Sequence, residues 1–135
     1  MRYLLDTNIL IAAMKGVERV REKLEATPLS ELVLSPVVLG ELELGVEKSQ
    51  HREKNAARLA RIVDSLQLTP LDAEASRHYG AIRAQLERLG TPIGANDYWI
   101  AAQARESFNS ARVARGLAPT AIWRCWRVFV ITSTI

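Results

Sequence analysis

Three acids stand where a freely solvated charge is out of place. Asp6 ends the short, mostly apolar run Arg2-Tyr3-Leu4-Leu5 and is followed at once by Thr7 and Asn8. Glu41 interrupts the otherwise apolar stretch Val37-Val38-Leu39-Gly40-Glu41-Leu42. Asp97 opens the small and apolar segment Asn96-Asp97-Tyr98-Trp99-Ile100-Ala101-Ala102. Each has a plain alternative. Asp is a favoured helix cap, which would account for Asp6 and Asp97, and a lone Glu is usually a solvated helix residue, which would account for Glu41. The set is harder to explain away. Carboxylates crowded together repel unless a proton or a cation joins them, and hard divalent ions take carboxylate and water oxygens. A Mg²⁺ or Mn²⁺ site is the natural solution.

The set is brought together only if the elements around it are arranged suitably. The first strand is read over Arg2 to Asn8, its apolar run as a buried central strand, because parallel strands covered on both faces are near-continuous in apolar residues. Asp6 then stands at the carboxyl end of a core strand, where open α/β sheets place ligands. Ile9 to Met14 reads as a helix closed by Lys15-Gly16. Val17 to Ala26 is charged, with Val20 and Leu24 as its apolar contact, and Pro28 breaks it.

Leu32 to Ser35 predicts a second strand. Ser35-Pro36 starts a helix as N-cap and first helical residue, carrying Val38, Leu39, Leu42 and Val46 inward with Gly45 weakening its last turn. His51 to Leu66 is a further amphipathic helix through Leu59, Ile62, Val63 and Leu66. Gln67 to Pro70 predicts a short strand. Asp72 caps a long helix with a seam of Ala75, Tyr79, Ile82, Leu86 and Leu89, which Gly90 ends. Thr91 to Gly94 is a loop, and Ala95 to Ala104 is helical with Asp97 near its start. The alternation argues for a parallel α/β sandwich. In that arrangement Asp6 and the starts of the two acid-bearing helices share one edge of the sheet.

Composition bounds the rest. With 135 residues, the chain suits one domain with a real core. No apolar run approaches the ~20 residues of a membrane span, and Asp6 follows Arg2 too closely for a signal sequence. A single cysteine, Cys125, excludes an internal disulfide and fits a reducing, cytoplasmic compartment. With His51 and His78 far apart, a zinc cluster is not expected. The net charge of +3 invites a nucleic-acid reading, but it is uneven. Residues 1–106 hold 14 Lys/Arg against 15 Asp/Glu, a net of −1, and residues 107–135 hold four Arg and no acid, a net of +4. The basicity belongs to the tail and says nothing about the core. Arg83 and Arg88 are the phosphate-contact candidates in the core, set against the commoner role of a solvated helix face.

Four stretches carry a resemblance to a family. Leu4-Leu5-Asp6-Thr7-Asn8-Ile9-Leu10-Ile11, Glu41-Leu42-Glu43-Leu44-Gly45-Val46, Arg77 to Leu86 and Gly90-Thr91-Pro92-Ile93-Gly94-Ala95-Asn96-Asp97 together closely resemble the PIN-domain toxins of VapC type, in order and at the family's spacing over residues 1 to about 106. The resemblance implies a three-layer α/β/α sandwich with a short central parallel sheet. It implies a metal-dependent endoribonuclease, the toxin of a toxin–antitoxin pair, acting on structured RNA such as transfer or ribosomal RNA. It implies Asp6, Glu41 and Asp97 as the catalytic, Mg²⁺- or Mn²⁺-binding residues, with Thr7 in support. It also implies a homodimer neutralised by a VapB-type antitoxin whose tail enters the acidic site.

Past Arg105 the resemblance stops. The family's short strand, Thr-Asn turn and fourth metal-site residue have no counterpart, and no acid follows Glu106. Residues 1–135 are expected to form a single PIN-like domain, with 107–135 as an atypical C-terminal segment. Val128 to Thr132 could supply a late strand, and Trp123, Trp126 and Phe129 are expected to pack over the sheet. The abrupt change in composition is what a shifted reading frame beyond codon 105 would produce. The altered tail motivates an alternative: a catalytically impaired module that still pairs with an antitoxin or a sister subunit. A phosphoacceptor receiver is disfavoured, since the middle of the chain has no strand-end Asp. A haloacid-dehalogenase-type phosphatase is disfavoured because Asn8 stands where that chemistry needs a second acid.

Overall fold

A computed structural model describes residues 3–113, with side chains as far as residue 106. The expected late strand at Val128 to Thr132 and the aromatic packing of Trp123, Trp126 and Phe129 lie outside the described residues. A three-stranded parallel sheet runs β1 (Tyr3–Leu5), β2 (Leu32–Leu34) and β3 (Gln67–Leu68), in that spatial order. Leu4 faces Val33 and Leu5 faces Leu34 across the first pairing, and Leu34 faces Leu68 across the second. The α/β sandwich expected from the alternation is thus present, with β2 at its centre. Around the sheet lie α1 (Thr7–Met14), α2 (Glu18–Glu25), α3 (Pro36–Glu47), α4 (Arg52–Ser65), α5 (Ala73–Arg88) and α6 (Ala95–Val113).

β1 and β2 form because they are short, continuous apolar runs buried on both faces. Leu5, Val33 and Leu34 keep at most 2% of their surface exposed. Onto them α3 lays Val38, Leu42 and Val46, spaced four apart on one face. Ile9 and Leu10 of α1, Leu59 of α4 and Ile100 of α6 complete this core. Each such aliphatic side chain contributes roughly 1.5–3 kcal/mol by leaving water. A second, smaller cluster joins Ile82 of α5 to Tyr98, Ala101 and Ala102 of α6.

Local chemistry sets the element boundaries. Ser35 caps α3, its Oγ accepting from the Val37 N–H at 3.1 Å, with Pro36 next. Asp72 caps α5 by accepting from the Glu74 and Ala75 N–H groups at 2.9 and 3.0 Å. Gly90 ends α5 with φ +68°, a conformation glycine adopts without steric cost. Three expectations need trimming. The first strand stops at Leu5, because Asp6 already serves as the N-cap of α1. The third strand covers Gln67–Leu68 alone, and both residues are exposed; Pro70 has no N–H to extend a ladder. Leu89, placed on the α5 seam, is instead that helix's C-terminal cap and is 65% exposed.

Candidate active site

The carboxyl edge of the sheet carries the acids. Leu4 and Leu5 bury the end of β1, so Asp6 emerges half-buried with an extended backbone. Its Oδ1 accepts the Asn8 N–H at 2.5 Å. Asp6 is therefore a helix cap and a member of the acidic edge at once; the two readings do not compete. Thr7, the first residue of α1, donates its hydroxyl to Glu41 Oε2.

Glu41 sits in the middle of α3, half-buried, beside the fully packed Val38 and Leu42. Its other oxygen, Oε1, accepts from Asn96 Nδ2 at 2.9 Å. Asn96 and Asp97 are the second and third residues of α6 and are exposed. A Cβ added at Gly94 would stand 3.4 Å from Asp97 Oδ2, so the Asp97 carboxylate lies back over the glycine that precedes the helix.

Asp6 senses its burial and the other two acids. Burial pushes the Asp6 carboxyl above its ordinary range. The Asn8 N–H pulls it partly back, and repulsion from Asp97 and then Glu41 adds to the rise. Among the described residues, however, no three His, Cys, Asp or Glu side chains are gathered tightly enough to hold a metal ion. The donor set is all oxygen: two aspartates, a glutamate and the Thr7 hydroxyl. That composition suits a hard divalent cation, and Mg²⁺ in particular keeps several waters and binds through one or two carboxylates. The residues fit such an ion by chemistry and by their unneutralised mutual repulsion, not by a closed cage.

Two polar features escaped the reading of the sequence. Asn96 is one, since nothing in Ala95-Asn96-Asp97 marks a partner 55 residues away. The other is Gln103, among the described residues one of two fully buried polar residues together with Ser35. Ser35 donates its hydroxyl to Gln103 Oε1. Gln103 Nε2 donates to the Thr69 and Pro70 carbonyls at 2.9 and 3.2 Å. A Gln among alanines on a helix gave a weak signal, and its role depends on tertiary contacts.

Of the two arginines weighed for phosphate contact, Arg83 is engaged within its own neighbourhood. Its Nε donates to Glu87 at 2.7 Å, Nη1 donates to the Tyr79 hydroxyl at 2.8 Å, and the guanidinium lies 5.5 Å from the Tyr98 ring centre. Tyr79 in turn stacks on Trp99 with ring centres 4.2 Å apart. Arg88 is exposed in the last turn of α5. A groove of about 300 Å³ leads away from Glu41 between α1, α3 and α4, with Ile11, Met14, Leu42 and Val46 as its apolar wall and Lys15 and Arg58 as its cations.

Comparison with known proteins shows what the chain is similar to. The PIN domain family model matches residues 3–111. The tRNA(fMet)-specific endonuclease VapC of Shigella flexneri is 40% identical over 106 residues, spanning 78% of this chain and 80% of the relative. Ribonuclease VapC2 of Rickettsia felis is 36% identical over 106 residues, spanning 77% and 79%. The crystal structure of DNA-bound VapBC from Salmonella typhimurium superposes with a TM-score of 0.73 at 37% identity, over 78% of this chain and 80% of that one.

Proposed function

The chain belongs to the PIN-domain family, within its VapC ribonucleases, and from that premise we propose that it is the toxin of a toxin–antitoxin pair, a metal-dependent endoribonuclease that hydrolyses phosphodiester bonds in structured RNA. Transfer RNA is the first substrate class to try and ribosomal RNA the second. Asp6, Glu41 and Asp97 are the proposed catalytic and metal-binding residues, with Thr7 in support. The single observation that best supports them is the bonding that links the three acid-bearing elements: Thr7, next to Asp6, donates to one oxygen of Glu41, and Asn96, next to Asp97, donates to the other.

RNA is a polyanion, so a phosphate meets repulsion from three carboxylates until their charge is offset. A bound Mg²⁺ or Mn²⁺ would offset it, lower the pKa of a water and stabilise charge developing on the phosphoryl oxygens. The chain's own residues orient the site. The end of β1 fixes Asp6, and the cap bond to Asn8 holds its Oδ1. Thr7 holds Glu41 from the α1 side. Asp97 rides on the first turn of α6, which packs closely on α5 and also touches α3.

The solved relatives include VapBC complexes, and an antitoxin of VapB type is the partner proposed here. The groove beside Glu41 suits an amphipathic segment, with an apolar face against Ile11, Met14, Leu42 and Val46 and acidic groups near Lys15 and Arg58. We further propose a homodimer working in the cytoplasm. Among the described residues no helix is long and apolar enough to cross a membrane. Residues 1–135 are taken as one PIN-like domain with an atypical segment from 107 onward.

A second reading rests on one observation: the family match stops at residue 111 of 135, and the tail carries no acid. A module that pairs with its antitoxin but no longer cleaves would show this. The test is total bacterial RNA incubated with the purified full chain in Mg²⁺, in Mn²⁺ and in EDTA. Discrete fragments with either metal and none in EDTA are expected. A folded chain inert with both metals, yet held by the antitoxin, would transfer the assignment to the impaired module.

A further inference from the structure

Glu41 is the only one of the three acids with both carboxylate oxygens engaged by neutral side-chain donors among the described residues: Thr7 holds Oε2 and Asn96 holds Oε1. The donors come from different elements, the first residue of α1 and the second residue of α6, and Glu41 itself lies on α3. A carboxylate gripped on one oxygen can still swing about its terminal torsion, which is broad and roughly two-fold in Glu. Gripped on both, it cannot. Neutral donors also hold the charge without cancelling it, whereas an Arg or Lys in the same place would occupy the carboxylate and oppose a metal cation.

We propose that Asn96 is a positioning residue for the acidic edge: its side-chain amide, opposite the Thr7 hydroxyl, clamps Glu41 and ties α6 to α3, so that Glu41 and the adjacent Asp97 face Asp6 as one unit. The bond spans 55 residues of sequence and links two helices that otherwise meet in few places. Asn96 is exposed, so its loss opens no cavity and removes no core contact. The inference rests on the metal-dependent nuclease reading above and adds a residue to it.

The test is a double-mutant cycle of Asn96→Ala and Glu41→Ala in the full chain. It is read in three ways: Mn²⁺ dissociation constant by electron paramagnetic resonance, RNA cleavage as separate kcat and KM, and urea unfolding without metal. Loss of one hydrogen bond to a charged group on a partly exposed surface should weaken Mn²⁺ binding about fivefold. At subsaturating metal kcat should fall by a similar factor, with KM for RNA unchanged. In the Glu41→Ala background, Asn96→Ala should add nothing to either change, and the two unfolding shifts should be less than additive.

Wild-type Mn²⁺ affinity in Asn96→Ala, or a full additional loss in the Glu41→Ala background, would overturn the proposal while leaving the nuclease reading intact. A wild-type chain that binds no Mn²⁺ but shows coupled unfolding would do the reverse, removing the metal reading and keeping the clamp.

Discussion

Two polar clusters lie on the same pair of helices and are built in opposite ways. At the start of α3 and in the third turn of α6, Ser35 and Gln103 are fully buried, and their donors and acceptors are satisfied by each other, by the Val37 N–H and by the Thr69 and Pro70 carbonyls. One turn or two away on the same helices, Glu41 and Asp97 join Asp6 in a cluster with three negative charges, no cationic partner among the described residues and a carboxyl held above its usual range. The closed cluster obeys the rule that buried polar groups are paired. The open one carries repulsion that folding alone does not relieve. The difference separates roles: the neutral knot ties α6 to the start of α3 and to the residues that follow β3, while Asp6 at the open edge still meets repulsion from the other two acids. Unrelieved charge on a well-built scaffold is the reason we propose this edge as the functional site.

The comparison can be broken most sharply at the open cluster. Asp97→Asn keeps the side chain's shape but removes one charge. RNA cleavage should fall on the order of 100-fold, while urea unfolding of the metal-free protein shifts little. Retained cleavage would place Asp97 outside the chemistry. The mirror experiment is Gln103→Leu, which takes the acceptor from the buried Ser35 hydroxyl and the donor from the Thr69 and Pro70 carbonyls. It should cost ~3 kcal/mol of stability, with cleavage per folded molecule largely kept at low temperature. Loss of activity without loss of stability would mean the knot does more than hold α6.

The pH dependence sharpens the same contrast. Asp6 has its folded pKa raised above the unfolded value, so the folded state binds more protons than the unfolded state between those two values. Stability from this group is therefore greatest below the unfolded pKa and falls as pH rises through the raised folded pKa. Asp6→Asn, which remains a good N-cap, should stabilise the metal-free protein at neutral pH and change nothing well below pH 4. Chemical denaturation across that range checks both the sign and the window. The smallest effect belongs to Arg83→Ala. That change breaks surface bonds to Glu87 and Tyr79, so a slight fall in melting temperature with unaltered cleavage is expected.

Much of the scaffold was legible because its signals are local. Ser35-Pro36, Asp72 and Gly90 each declare a helix end through the chemistry of one or two residues, and the apolar runs at Leu4-Leu5 and Leu32-Val33-Leu34 declare strands. The acids were legible for a different reason: Asp6, Glu41 and Asp97 contradict their surroundings. Leu89 misled because periodicity continues smoothly to a helix's last residue, while burial depends on whether a neighbour reaches that far. Asn96 and Gln103 were illegible because their partners stand 55 and 68 residues away. Nothing in an amide's immediate neighbours says which distant oxygen it will meet.

The central claim is that Asp6, Glu41 and Asp97, from three separate elements, make one cation-binding edge. The most direct test is Mn²⁺ binding to the purified chain and to Asp6→Asn, Glu41→Gln and Asp97→Asn, with circular dichroism confirming the fold of each. A single site in the parent, weakened in all three variants, is the predicted result. Undiminished Mn²⁺ affinity in any one of them would remove that residue from the site, and undiminished affinity in all three would contradict the account.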